Sequence, residues 1–271
     1  MLHASDNWWV SGLVLMLSGI LILNILIAQR GRPTQIRRIP GLNAVDDAIG
    51  RATEMGRKIM MIPGITALDV PTLQGLAILG HIAGQVAGYG SKSLTPCADP
   101  VVAGVAHDIV SDSYGRAGRS ELFDDDDDVR YLTTEQFAFA AGVAGLMQRE
   151  KVAASFLFGN FFAESLIIGE VGHQIDAIQI AGTPKIEQIP FLIASCDYVL
   201  IGEEFYAASA YLSRDPTALG SIRGQDWSKL LLMCTTLAGV VAASFVSFCG
   251  THAYHPRFLH TVNEILNALK T

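Results

Sequence analysis

Hydrophobic and polar positions divide the chain into three regimes. Residues 8–28 and 230–250 are almost continuously apolar, the first carrying Asn24 as its one strongly polar residue and the second no charge. Each has about the ~20 residues that a helix needs to cross a bilayer. Between them, short β-rich runs at 58–62, 91–95, 129–133, 153–158, 176–181 and 198–202 are each followed by a stretch of helical periodicity. An amphipathic helix around "AVDDAIGRATEMG" precedes the first run. Such alternation builds βαβ units with right-handed crossovers and a sheet covered on both faces. The expected fold is therefore α/β: a Rossmann-like or flavodoxin-like, mostly parallel sheet of about six strands, inserted between two transmembrane helices.

Flanking charge orients the chain. Arg30, Arg32, Arg37 and Arg38 follow the first apolar run, and Arg214, Arg223 and Lys229 precede the second, while Arg257 and Lys270 lie beyond it. Basic residues gather on the cytoplasmic side of a membrane. The expected map is an extracytoplasmic start at 1–7, a first transmembrane helix at 8–28 and a basic linker at 29–43. A cytoplasmic α/β domain at 44–228, a second transmembrane helix at 229–250 and an extracytoplasmic amphipathic tail at 251–271 complete it. Localisation follows as the inner membrane, two-pass, with the lipid bilayer as a partner. A cleaved leader would need positive charge ahead of its apolar core, and Asp6 stands there instead.

Composition agrees with a membrane-embedded part. The chain of 271 residues is 50% hydrophobic and 17% charged with a mean hydropathy of +0.35, against roughly 25% charged in ordinary soluble domains. A net charge of −7 without a basic stripe excludes nucleic acid as a partner. Cys97, Cys196, Cys234 and Cys249 show no spacing for zinc or for a disulfide framework.

Two helical stretches in the central region lack charge, "VPTLQGLAILGHIAGQVAGYG" and "FAFAAGVAGLMQ". A helix covering a sheet normally keeps a polar outer face, so both leave apolar surface that needs a cover. Self-association through Leu76, Leu79, Phe137, Phe139, Gly142 and Gly145 is the favoured expectation; wrapping by neighbouring helices of the same chain is the alternative. The five aspartates at 124–128 repel one another and read as a solvated loop, since a calcium loop spaces its carboxylates.

Candidate chemistry is sparse. Ligands of open parallel sheets bind beyond the carboxyl ends of the strands. The polar residues expected there are Asp99, Glu135, Asn160, Glu164, Glu203 and Glu204, with Gly64 and Thr66, Cys97, Thr134, Gly159, Gly182 and Thr183 beside them. The same residue types serve as helix caps and turns without any ligand. No GxGxxG follows the first strand, and no GxxxxGK[ST] or GxSxG occurs, which removes the main support for nucleotide binding or a nucleophile elbow. His81, His107 and His173 have no ligand spacing, and His252, His255 and His260 surround a proline loosely, so no metal and no cofactor is expected.

The stretches "GRATEMGR", "FAFAAGVAGLMQREK", "CDYVLIGEEFYAASAYLSRDP" and "LGSIRGQDWSKLL" resemble an uncharacterised family of bacterial membrane proteins of unknown function. The resemblance implies two membrane helices bracketing one α/β domain and implies no activity. The expectation from these readings together is a membrane-anchored, cytoplasm-facing protein that self-associates into a large symmetric homo-oligomer with a scaffolding role, with other membrane proteins open as partners. The alternative is a membrane-tethered enzyme or small-molecule sensor using the strand-end crevice.

Overall fold

The computed structural model describes residues 8–30, 40–213 and 215–252. The chain forms two compact units, one holding the apolar helices from its two ends and the other spanning Ile36–Asp215. It runs through α1 (Trp8–Gln29) and α2 (Pro40–Glu54), then alternates β1 (Ile59–Ile62), α3 (Val70–Gly88), β2 (Ser93–Cys97), α4 (Pro100–Arg116) and β3 (Val129–Tyr131). There follow α5 (Gln136–Glu150), β4 (Ala154–Phe158), α6 (Glu164–Gln174), β5 (Ile178–Thr183), α7 (Ile189–Ser195), β6 (Tyr198–Ile201), α8 (Glu203–Ser213) and α9 (Pro216–His252).

The six strands form one sheet in the order β3-β2-β1-β4-β5-β6, every neighbouring pair parallel. This is the Rossmann order and not the flavodoxin one. Each strand lies within two residues of its expected run. Side chains alternate between the faces. On β1, Ile59 and Met61 enter a core with α2, α3 and α8, whereas Met60 and Ile62 enter one with α5, α6 and α7. On β4, Phe156 and Phe158 point to the first core and Leu157 to the second.

The absence of charge on α3 has its cause inside this chain. Helices α4 and α8 both pack against it, and Leu76, Leu79, Ile82 and Val86 are buried. Small residues permit the approach: a Cβ on Gly75 would lie 2.4 Å from the Phe158 carbonyl oxygen, and one on Gly80 2.6 Å from Ile109 Cγ2 on α4. Leu76 and Leu79 are therefore spent within the chain, as is Phe139 on α5. On the outward side of α5, Phe137 is 62% exposed and Gly145 has nothing within 4 Å of a Cβ built on it, while Gly142 faces Leu132.

The aspartates at 124–128 form a turn, but they do not share one environment. Asp128 is 2% exposed and accepts a hydrogen bond from the Asp124 N–H at 3.0 Å. In the other unit, two helices are long and apolar enough to cross a membrane. The second, α9, has no break between its polar start at Pro216 and its apolar run, and the compact unit before it ends at Asp215. The expected tail helix with His255 and His260, and the linker arginines Arg32, Arg37 and Arg38, lie outside the described residues.

Candidate functional site

Strands β1 and β4 are adjacent, and the helices that follow them, α3 and α6, pack on opposite faces of the sheet. This is the switch point at which proteins of this strand order open a crevice. Here the two loops are clasped. The Ile65 N–H donates to the Asn160 carbonyl at 3.0 Å, and two glycines with positive φ, Gly64 at +85° and Gly159 at +138°, allow the approach. A Cβ on Gly64 would sit 2.8 Å from both the backbone N and O of Asn160, and one on Gly159 2.8 Å from the Pro63 carbonyl oxygen.

Asp69 is the hub of the polar groups around the clasp. Its Oδ1 accepts from the Thr72 N–H at 2.9 Å and the Thr72 hydroxyl at 2.7 Å. Its Oδ2 accepts from Asn160 Nδ2 at 2.7 Å and the Thr66 hydroxyl at 3.3 Å. Burial alone would raise its pKa, but these four hydrogen bonds outweigh it and hold the carboxyl below the ordinary carboxylate range. Burial, with the Asp69 charge second, pushes the Tyr206 phenol on α8 upward. Asp69 is also the N-cap of α3, followed by Val70 and Pro71. The helix terminus that holds a pyrophosphate in dinucleotide-binding proteins with this strand order is here filled by the chain's own carboxylate.

A second polar group lies beside the first. Glu164 is fully buried; its Oε1 accepts from the Phe162 N–H at 2.6 Å and its Oε2 from Gln136 Nε2. Gln188 accepts from the Phe161 N–H at 2.9 Å and the Thr183 hydroxyl at 2.8 Å. Among the described residues, the buried Asn160 Oδ1 and Gln188 Nε2 have no hydrogen-bond partner.

The six expected crevice residues divide between places. Asn160 and Glu164 stand at the switch point. Asp99 follows β2 and caps α4 through Val101 N–H at 2.8 Å and Val102 N–H at 3.0 Å. Glu135 follows β3 without a side-chain capping bond, and Glu203 and Glu204 are exposed in the first turn of α8, beyond β6. With ~4.8 Å between neighbouring strands, positions beyond β3 and β6 are about 24 Å apart, too far to share one ligand. Sequence reasoning missed Asp69, Thr72, Gln136, Gln188 and Tyr206. Only Asp69 carried a local signal, an Asp immediately before an apolar helix with proline in its first turn.

The thiols offer no nucleophile here. Burial, then the charge of Asp99, pushes Cys97 up to about 12, and burial pushes Cys196 up to about 11. A cavity of about 910 Å³ opens at the amino ends of β5 and β6, with Asp46, Asp47, Glu54, Asp176 and Asp197 in its lining. No group of three or more metal-binding side chains occurs among the described residues.

Exposed apolar side chains also occur at the carboxyl end of the sheet, among the exposed Glu135, Lys185, Glu187, Glu203 and Glu204. Leu68, Val70 and Leu73 at the start of α3, Val101 at the start of α4 and Phe137 at the start of α5 are exposed. Phe162 and Ile186, beyond β4 and β5, are exposed as well, the latter by 77%.

The chain belongs to the family described as a domain of unknown function, DUF6754, which matches residues 2–254. No curated protein and no solved structure matches it.

Proposed function

We propose that this protein is a membrane-anchored assembly module whose α/β domain lies in the cytoplasm and which joins copies of itself into a homo-oligomer with a structural role. One observation carries the reading: the end of the sheet where this fold ordinarily takes a ligand has its helix terminus filled by Asp69 and exposes Val70, Leu73, Val101, Phe137, Phe162 and Ile186. Exposed apolar side chains beside the capped starts of α3 and α4 suit a protein surface better than a soluble substrate. Orientation rests on the seven basic residues that border the apolar runs on the domain side, against two beyond the second.

A second reading has one observation in its favour. The unpaired Asn160 Oδ1 and Gln188 Nε2 are an acceptor and a donor buried near the switch point, and a small polar molecule would satisfy both. Mass measurement of the full chain extracted into lipid nanodiscs tests the first reading. A multiple of 29.1 kDa is expected; a single chain per particle at micromolar concentration refutes it and leaves the small-molecule reading in front.

A further inference from the structure

Helices α1 and α9 pack antiparallel, in a register set by two glycines four residues apart. A Cβ on Gly220 would lie 2.7 Å from Ile25 Cα, and one on Gly224 3.1 Å from Leu21 Cα, so the backbones meet at these points. Counting outward at about 1.5 Å per residue on both helices brings Leu230 level with Leu15. The uncharged run of α9 begins at Leu230. Residues 16–27 of α1, apolar throughout except for Ser18 and Asn24, therefore run beside residues 218–229 of α9, which hold Arg223, Asp226 and Lys229.

The two apolar runs are thus offset by about 12 residues, roughly 18 Å. A hydrocarbon layer of ~30 Å cannot match both. Centred on α9, it leaves Leu23, 58% exposed, in water. Centred on α1, it takes in Arg223 and Asp226, neither of which has an ion-pair partner among the described residues. At this level Ile20, Leu23 and Ile27 face Trp227 and Leu231 across a groove of about 940 Å³, with Arg223 on its wall. Neither water nor lipid suits a groove of that mixed lining.

We propose that the groove between α1 and α9 receives α9 of a second copy of this chain, with the neighbour's Asp226 set against Arg223. Copies in one membrane share their orientation, so the incoming helix runs parallel to the resident α9. Its Asp226 then arrives about one turn, ~4.5 Å, from the height of Arg223, within reach of a guanidinium. The stripe above Asp226, formed by Met233 and Leu237 with Leu230 at the edge it shares with the groove, is exposed on α9. It fills an apolar cleft as one seam of a helix bundle does. Such a contact is heterologous: each copy offers its stripe to one neighbour and its groove to another, which closes into a ring.

This contact rests on the homo-oligomer reading and specifies where copies meet. The test uses the full chain in nanodiscs with Arg223→Asp, Asp226→Arg, and the two variants co-expressed. Each alone places like charges across the contact and is expected to cut the particle mass at least twofold. Co-expressed, Arg223→Asp chains bring paired acids to Asp226→Arg chains with paired bases, and by alternating around the ring they are expected to restore particles at least twice the mass of either variant alone. An ion pair confined to one helix would give no such recovery. Wild-type mass in either single variant, or no recovery on mixing, overturns the groove contact and leaves the oligomer reading standing. A wild-type particle containing one chain overturns both.

Discussion

Asn160 and Asp69 are 91 residues apart in sequence, and the amide of one donates to the carboxylate of the other at 2.7 Å. The bond joins the loop after β4 to the start of α3, across the place where the sheet changes its direction of crossover. Asp69→Ala removes a helix cap worth about 1 kcal/mol and strips a buried amide of its acceptor. A loss of about 2–3 kcal/mol is expected from denaturant titration of the domain signal, with Asp69→Asn milder.

The same carboxylate sets an acid limit. Its folded pKa lies below the unfolded value, so its stabilisation is complete above the ordinary carboxylate pKa of ~3.9 and fades as pH falls through the folded one. Glu150, lowered chiefly by its hydrogen bond from Lys58 at 2.8 Å, acts in the same direction. Asp128, raised by burial, acts in the opposite one. Denaturation midpoints measured from pH 6 to pH 3 should fall, and the slope should flatten in Asp69→Asn; an unchanged slope would remove Asp69 from the acid response.

Gly64→Ala meets two backbone atoms at 2.8 Å in a conformation that L residues rarely adopt. It should destabilise the domain by about 1–3 kcal/mol and expose the clasp to hydrogen exchange. Gly145→Glu enters open space on α5 and should leave stability within about 0.5 kcal/mol. If the outward stripe of α5 joins copies, that variant lowers the particle mass without unfolding; an unaltered mass shows that the stripe faces solvent.

Orientation is checked by labelling. A cysteine at Asp126 should resist a membrane-impermeant thiol reagent in intact cells and react after lysis. Reaction in intact cells would invert the topology. Cys97 and Cys196, with pKa values of about 12 and 11, should stay unlabelled at pH 8 until the domain is denatured.

The strands were legible because their apolar runs end in turns, and the alternation of β and α segments implied the parallel sheet. The charge-free α3 was legible as a helix but not as a wrapped one, because periodicity reports which face is apolar and not which neighbour covers it. The Asp69 hub was half visible: the cap could be read before "VPTLQ", yet its partner Asn160 comes from a loop that only the strand order brings near. The offset of α1 against α9 was hidden, because hydropathy measures the length of an apolar run and not the register in which two runs meet.

The wrapping of α3 has a consequence for synthesis on the ribosome. Helix α4 begins 12 residues after Gly88, but α8 begins at Glu203, 115 residues after it. At ~5–20 residues per second, one flank of a charge-free helix stays uncovered for roughly 6–23 s while the nascent chain lengthens. During that interval the segment is a target for chaperones. Slowed translation between β3 and α8 should therefore raise aggregation of a chain whose finished domain is stable.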